Sequence, residues 1–202
     1  MEKPSETSLR CLIATGNPHK SDAIRRILTG YPFELIDLSD LDPIREPEET
    51  GLTFLENALL KSRYYCQESG MIALADDSGL EVDALGGQPG IYSSRFAGED
   101  SPHSVKMAKI LELLSNTPEK ERTARFRCVA AISFPDGREF HAQGAMEGLI
   151  SDRASGSGGF GYDPIVYLPS LRKSVAALTD SEKDIISHRG NAFRKLADSL
   201  NF

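Results

Sequence analysis

The feature that most constrains the fold lies near the start of the chain. Residues 9–14 (LRCLIA) form a largely apolar run. It passes directly into Thr15-Gly16-Asn17-Pro18-His19-Lys20 and then into Ala23, Ile24, Ile27 and Leu28 at helical spacing. This reads as a buried strand, a loop, and a helix near residues 21–28 stopped by Gly30. A second apolar strand follows at residues 33–38. A strand–loop–helix–strand opening predicts an α/β fold. With 202 residues the chain suits one compact domain, residues 9–202, behind a short polar tail at residues 1–8.

The rest of the sequence continues the alternation. Residues 39–51 are acidic and proline-bearing and read as a loop. Thr53 and Glu56 form a capping box for a helix to about Glu68, closed by Gly70. A short strand at residues 71–75 then delivers Asp76-Asp77-Ser78-Gly79 at its end. Turn residues fill 86–98, and Ser104 is placed to cap a helix over residues 105–114. Residues 125–134 and 138–146 read as a β-hairpin around Pro135-Asp136-Gly137. A Gly/Ser cluster at 155–161 leads to a strand at 165–167. The last helix starts at Asp180 or Ser187 and runs to Leu200.

Composition narrows the function classes. The formal net charge of -7 argues against a broad nucleic-acid surface. An acidic protein still binds a phosphorylated small molecule through local cations, a metal ion or a helix N-terminus. No apolar run is long enough for a transmembrane helix, and the polar N-terminus carries no signal-peptide core, so neither membrane nor nucleic acid is expected as a partner. Cys11, Cys66 and Cys128 are far apart and odd in number. They predict neither a disulfide framework nor a thiolate metal site, and they suit a reducing cytoplasm.

Five places have side chains suited to chemistry, each with a plainer alternative. In Thr15–Lys20, backbone N–H groups at a strand-to-helix turn, Gly16 and the Lys20 charge favour phosphate; a simple turn with a solvated lysine is the alternative. Asp76 and Asp77 repel one another unless a hard cation such as Mg²⁺ or a proton-transfer role keeps them together; an Asx turn before Gly79 is the alternative. One of Glu46, Glu48 and Glu49 completes a magnesium shell, or all three are solvated. In residues 156–164 (GSGGFGYDP), Phe160 or Tyr162 lies against a base and Asp163 takes a hydrogen bond from it, or the segment is a flexible loop. Lys183, His188 and Arg189 hold a phosphate or a base carbonyl, or lie on the surface.

The order of these segments carries more than any one of them. TGNPHK, EETGLTFLENALLKS, ADDSGLEVDALGGQPGIYSSRFAG, GSGGFGYDP and SEKDIISHRG, in that order from Leu9 to about Leu200, closely resemble the inosine triphosphate pyrophosphatase family. The resemblance implies a long twisted mixed sheet flanked by helices, with two lobes and a central cleft. It implies a homodimer that hydrolyses ITP, dITP and XTP to the monophosphate and pyrophosphate with Mg²⁺. Under it, Thr15, Gly16, Asn17, Pro18, His19 and Lys20 cradle the triphosphate. Asp77 is the proton acceptor and a metal ligand, with Glu48 or Glu49 as the second carboxylate. Ser78, Phe160, Gly161, Tyr162, Asp163, Lys183, His188 and Arg189 contact substrate. Asn57, Lys61 and Arg95 fall in family segments without an assigned role. A pyrimidine-directed Maf-like enzyme and a non-catalytic nucleotide sensor are the rival readings.

Overall fold

A computed structural model describes residues 8–200; residues 1–7, in the expected tail, and 201–202 lie outside the described part. The chain forms a seven-stranded sheet in the order β2-β1-β3-β4-β5-β6-β7. The strands are β1 (Leu9–Ile13), β2 (Phe33–Asp37), β3 (Ile72–Val82), β4 (Thr123–Ser133), β5 (Glu139–Ile150), β6 (Val166–Leu168) and β7 (Lys173–Ser174). The helices are α1 (Pro18–Ile27), α2 (Phe54–Ser69), α3 (His103–Leu113), α4 (Asp180–Ile186) and α5 (His188–Ser199). Strand β1 runs parallel to both β2 and β3, pairing Cys11 with Leu35 on one side and with Ile72 on the other. Strands β5–β6 and β6–β7 pair antiparallel, so the sheet is mixed, as expected. No helix among the described residues is long and apolar enough to cross a membrane.

The chain divides into two compact units. Unit 1 takes the residues up to Asp77, Val129–Gln143, and those from Ala192 onward; unit 2 takes Ser78–Cys128 and Gly144–Asn191. The division therefore falls inside β3, between Asp77 and Ser78. In unit 1, β1 is covered on both faces, with Cys11, Leu12 and Ile13 fully buried, which accounts for its continuous apolar run. Leu12, Ala14, Ile36, Tyr65 and Ala73 form one core. In unit 2, Leu80, Ile110, Phe126, Ile150, Tyr162 and Val166 belong to another.

Local chemistry sets the ends of α2. Glu56 N–H donates to Thr53 Oγ1 at 3.1 Å and Thr53 N–H to Glu56 Oε2 at 3.1 Å, while Gly70 closes the helix at φ 67°. Elsewhere the boundaries differ from expectation. α1 begins at Pro18, which tolerates the first helical position because no intrahelical N–H is needed there. α3 begins at His103 without a side-chain cap, so Ser104 lies inside it. The C-terminal helical region is two helices, with Ser187 between them in extended conformation. β3 does not end at Ala75. It continues through Asp76-Asp77-Ser78-Gly79 to Val82, which rules out an Asx turn at that position. The acidic residues hid this strand, because their charge is offset by partners distant in sequence.

Gly148 on β5 tests the sheet. A Cβ added there would lie 2.7 Å from the Tyr167 carbonyl oxygen on β6. Gly148→Ala is expected to destabilise the protein by about 1–3 kcal/mol, the usual cost of overpacking, as read from a urea unfolding midpoint. An unchanged midpoint would contradict this strand pairing.

Candidate active site

Unit 1 gathers the charged residues around the ends of two helices and the middle of β3. Asn17 caps α1, its Oδ1 accepting the N–H groups of His19 at 3.0 Å and Lys20 at 3.4 Å. Thr15 Oγ1 accepts the Asn17 N–H at 3.2 Å. Gly16, Pro18 and His19 are exposed, whereas Lys20 is partly buried. Lys20 is not simply solvated: its Nζ lies 3.2 Å from Asp76 Oδ1, a carboxylate whose side chain is fully buried. A Cβ on Gly16 would meet no atom within 4 Å, so no contact inside the protein demands glycine there.

Asp76 and Asp77 are successive strand residues, so their side chains leave opposite faces of the sheet. Each therefore has its own lysine. Asp77 Oδ1 lies 3.3 Å from Lys61 Nζ, and Asp77 Oδ2 accepts from Asn57 Nδ2 at 3.2 Å. Lys61 also donates to Glu49 Oε1 at 2.7 Å. Asn57 and Lys61 are four apart on α2 and share a face. Asn57 Oδ1 accepts the Gly51 N–H at 2.8 Å, which pins the loop carrying Glu49 to the helix. A Cβ on Gly51 would fall 2.5 Å from that Oδ1 and 2.9 Å from the Asn57 backbone nitrogen, so this close approach requires glycine.

Of the two candidate glutamates, Glu49 is half-buried against Lys61 and Glu48 is exposed. Burial pushes the Asp77 carboxyl above its ordinary range, against the pull of Lys61; Glu49 and Asp76 push the same way as burial, and Lys20 opposes. Burial alone would lower Lys61, but Asp77, Asp76 and Glu49 together hold its ammonium above its ordinary value. Within this set three carboxylates face two ammonium groups.

No group of three or more histidine, cysteine or acidic residues among the described residues forms a ready metal cage. The donors present suit a different arrangement. Mg²⁺ commonly takes one or two carboxylates and completes its shell with water and substrate phosphate. Asp77 and Glu49, already gathered around one ammonium group, fit that requirement.

Unit 2 contains a set with aromatic and cationic groups. Ser78, the residue after Asp77, accepts from Arg189 Nη2 at 3.1 Å. Arg189 and Lys183 both approach the ring of Phe160, with Arg189 Cζ 5.6 Å and Lys183 Nζ 4.8 Å from its centroid. Asp163 is ion-paired with Lys183 and accepts the Phe160 N–H at 2.8 Å. Gly159, at φ 70°, has no room for a side chain, since a Cβ would collide with the Asp163 carboxylate. The glycine-rich segment is thus a packed turn rather than a loose loop.

The two aromatic residues of this segment have different surroundings. Tyr162 is buried in the core of unit 2, donates its hydroxyl to the Ser93 carbonyl at 2.8 Å, and is pushed well above the ordinary phenol range by burial. Phe160 and Gly161 are half-exposed, so Phe160 offers the ring accessible to a base. His188 is buried and stacks on Phe126, with ring centroids 5.0 Å apart. Arg95 lies over Tyr92, 5.0 Å from its ring centroid.

Sequence reasoning gave Asn57 and Lys61 no role. The available signal was a polar pair four apart, sharing the helix face that also buries Phe54, Ala58 and Tyr65.

Known proteins with the same arrangement of sequence and fold give this chain its relatives. The Ham1 family profile matches residues 11–199. A dITP/XTP pyrophosphatase of Exiguobacterium sibiricum is 46% identical over 192 residues, covering 95% of this chain and 97% of that protein. One from Desulforamulus reducens is 44% identical over 193 residues, covering 96% of each. Among solved structures, a HAM1 protein from Coxiella burnetii superposes with a TM-score of 0.87 at 37% identity, covering 96% of this chain and 98% of that one. The Staphylococcus aureus Ham1 protein gives 0.85 at 42% identity, covering 95% and 98%. The chain belongs to the Ham1 family.

Proposed function

We propose that this protein hydrolyses non-standard purine nucleoside triphosphates, ITP, dITP and XTP, to the monophosphate and pyrophosphate. The observation that carries the reading is the buried Glu49–Lys61–Asp77 contact beside the Lys20–Asp76 pair. Relatives named dITP/XTP pyrophosphatases, matched over nearly the whole chain, supply the substrate class.

Unit 1 supplies the phosphate chemistry. Lys20 and Lys61 are cations positioned for phosphate oxygens, and the start of α1 adds its positive end. Asp77, its carboxyl raised above the ordinary range by burial, is suited to accept a proton from an attacking water. Mg²⁺ held by Asp77 and Glu49 would neutralise phosphate charge and stabilise the pyrophosphate leaving group. Open space beside Gly16 suits a backbone approached by phosphate.

Unit 2 supplies base recognition. Phe160 offers a ring for stacking, with Lys183 and Arg189 beside it as donors and Arg189 bonded to Ser78. A donor facing the purine 6-position accepts ITP and XTP, which carry a carbonyl there, and leaves the 6-amino group of ATP unmatched. Three buried cysteines outside any disulfide suit a reducing cytoplasm. The homodimer implied by the family resemblance completes the proposal.

Pyrophosphate release from ITP, dITP and XTP is expected to exceed release from ATP by at least about tenfold, by analogy with discrimination through an unpaired polar group, and EDTA is expected to abolish it. Orthophosphate as the product would place the cleaved bond elsewhere.

Asp77→Asn should lower turnover by at least about 10²-fold. Its effect on stability should be opposite in sense. The folded-state carboxyl lies above its unfolded value, so the folded state binds the extra proton, and stability falls as pH rises from the unfolded value through the folded one. At neutral pH the ionised group costs stability. The metal-free Asp77→Asn protein is therefore expected to melt at the same temperature as the unaltered protein or higher, and a clear drop would contradict this account of Asp77.

A further inference from the structure

Tyr162 and Ser93 make a contact that core packing alone does not require. A phenylalanine would fill the same space, and a buried hydroxyl is costly unless it is bonded. The Tyr162 hydroxyl meets that requirement by donating to the Ser93 carbonyl at 2.8 Å, which fixes one direction for the turn that carries Phe160. Ser93 is itself buried, and its hydroxyl is used twice. Its Oγ accepts the Leu80 N–H at 2.9 Å and donates to the Gly90 carbonyl at 2.6 Å. The neighbouring Ser94 carbonyl accepts from the ammonium of Lys106 on α3, a residue only 4% exposed. The Ser93–Ser94 backbone is thus held from the base-reading turn, from β3 and from α3.

Leu80 stands two residues beyond Ser78 on β3, so the two share a face of the strand. Ser78 accepts from Arg189, whose guanidinium carbon lies 5.6 Å from the Phe160 ring centroid. The contacts therefore close on themselves. Phe160 is tied through Tyr162, Ser93 and Leu80 to Ser78, and Ser78 is tied through Arg189 back to Phe160. Every member lies in unit 2. We propose that Ser93 is a positioning residue for base recognition, a role that rests on the purine triphosphate reading above. Ser93 acts through Tyr162 and Leu80, setting the stacking ring and the Arg189 donor at one fixed separation. A donor held in this way matches a purine 6-carbonyl, whereas stacking alone accepts any base. Loosening this circuit costs dITP more than ATP.

The test is the ratio of kcat/KM for dITP to that for ATP in two variants. Tyr162→Phe removes one oxygen and keeps the ring, and Ser93→Ala removes the serine hydroxyl. Each is expected to narrow the ratio about fivefold, the fold-change that corresponds to one neutral hydrogen bond, mainly through a higher KM for dITP. Gly148→Ala, the overpacked position in the same unit, is expected to lower the unfolding midpoint and leave the ratio as it is. A ratio left unaltered by either folded variant overturns the assignment, as does an equal narrowing in Gly148→Ala. If Ser93→Ala does not fold, Tyr162→Phe decides alone. Affinities for IMP and AMP, measured by calorimetry, give the same ratio without turnover. If the unaltered protein releases no pyrophosphate from dITP, the functional reading fails separately; the IMP-to-AMP ratio then supports the assignment by exceeding one and narrowing in Tyr162→Phe, and overturns it otherwise.

Discussion

One buried ammonium group organises unit 1. Lys61 Nζ stands 2.7 Å from Glu49 and 3.3 Å from Asp77, with Asn57 from the same helix face on the other oxygen of Asp77. Without these contacts and the Lys20–Asp76 pair, an acidic strand segment with a fully buried Asp76 side chain and a nearly buried Asp77 would face a prohibitive desolvation cost. With them, β3 continues straight through two aspartates into Ser78 and on to Val82. The same helix face holds the loop that carries Glu49, because Asn57 accepts the Gly51 N–H. The buried strand and the loop beside it therefore depend on the same few polar atoms.

Unit 2 solves a different problem. Its cations are not placed against paired carboxylates on a strand but around an aromatic ring, with Asp163 as a local counterion and Gly159 shaped to admit it. Rigid packing supports the arrangement: Tyr162 is locked in the core through Ser93, and His188 lies flat on Phe126. This suits discrimination, where donors must be fixed before the base arrives so that a mismatched group is left unpaired. Chemistry on phosphate asks for charge, and reading a base asks for geometry.

The sequence was most legible where local rules dominate. The β1–α1–β2 opening, the Thr53/Glu56 box and the Gly70 stop follow from patterning and capping and appear where expected. It was least legible where distant residues supply the compensation. Nothing local indicates that Asp76 and Asp77 belong inside a strand, since the lysines that allow it come from α1 and α2. That Glu49 rather than Glu48 is half-buried likewise depends on Lys61, and Tyr162 is a core residue because Ser93 satisfies its hydroxyl. Asn57 and Lys61 look like helix-surface polar residues until their shared face is seen to be buried.

The central claim is a division of labour, with phosphate chemistry in unit 1 and base recognition in unit 2. Its most direct measurement compares kcat/KM for dITP and ATP in Lys61→Met and in Phe160→Ala. The account predicts that Lys61→Met lowers both values by a similar factor and leaves their ratio unchanged, while Phe160→Ala lowers the dITP value more and narrows the ratio. A ratio altered by Lys61→Met and untouched by Phe160→Ala would contradict it.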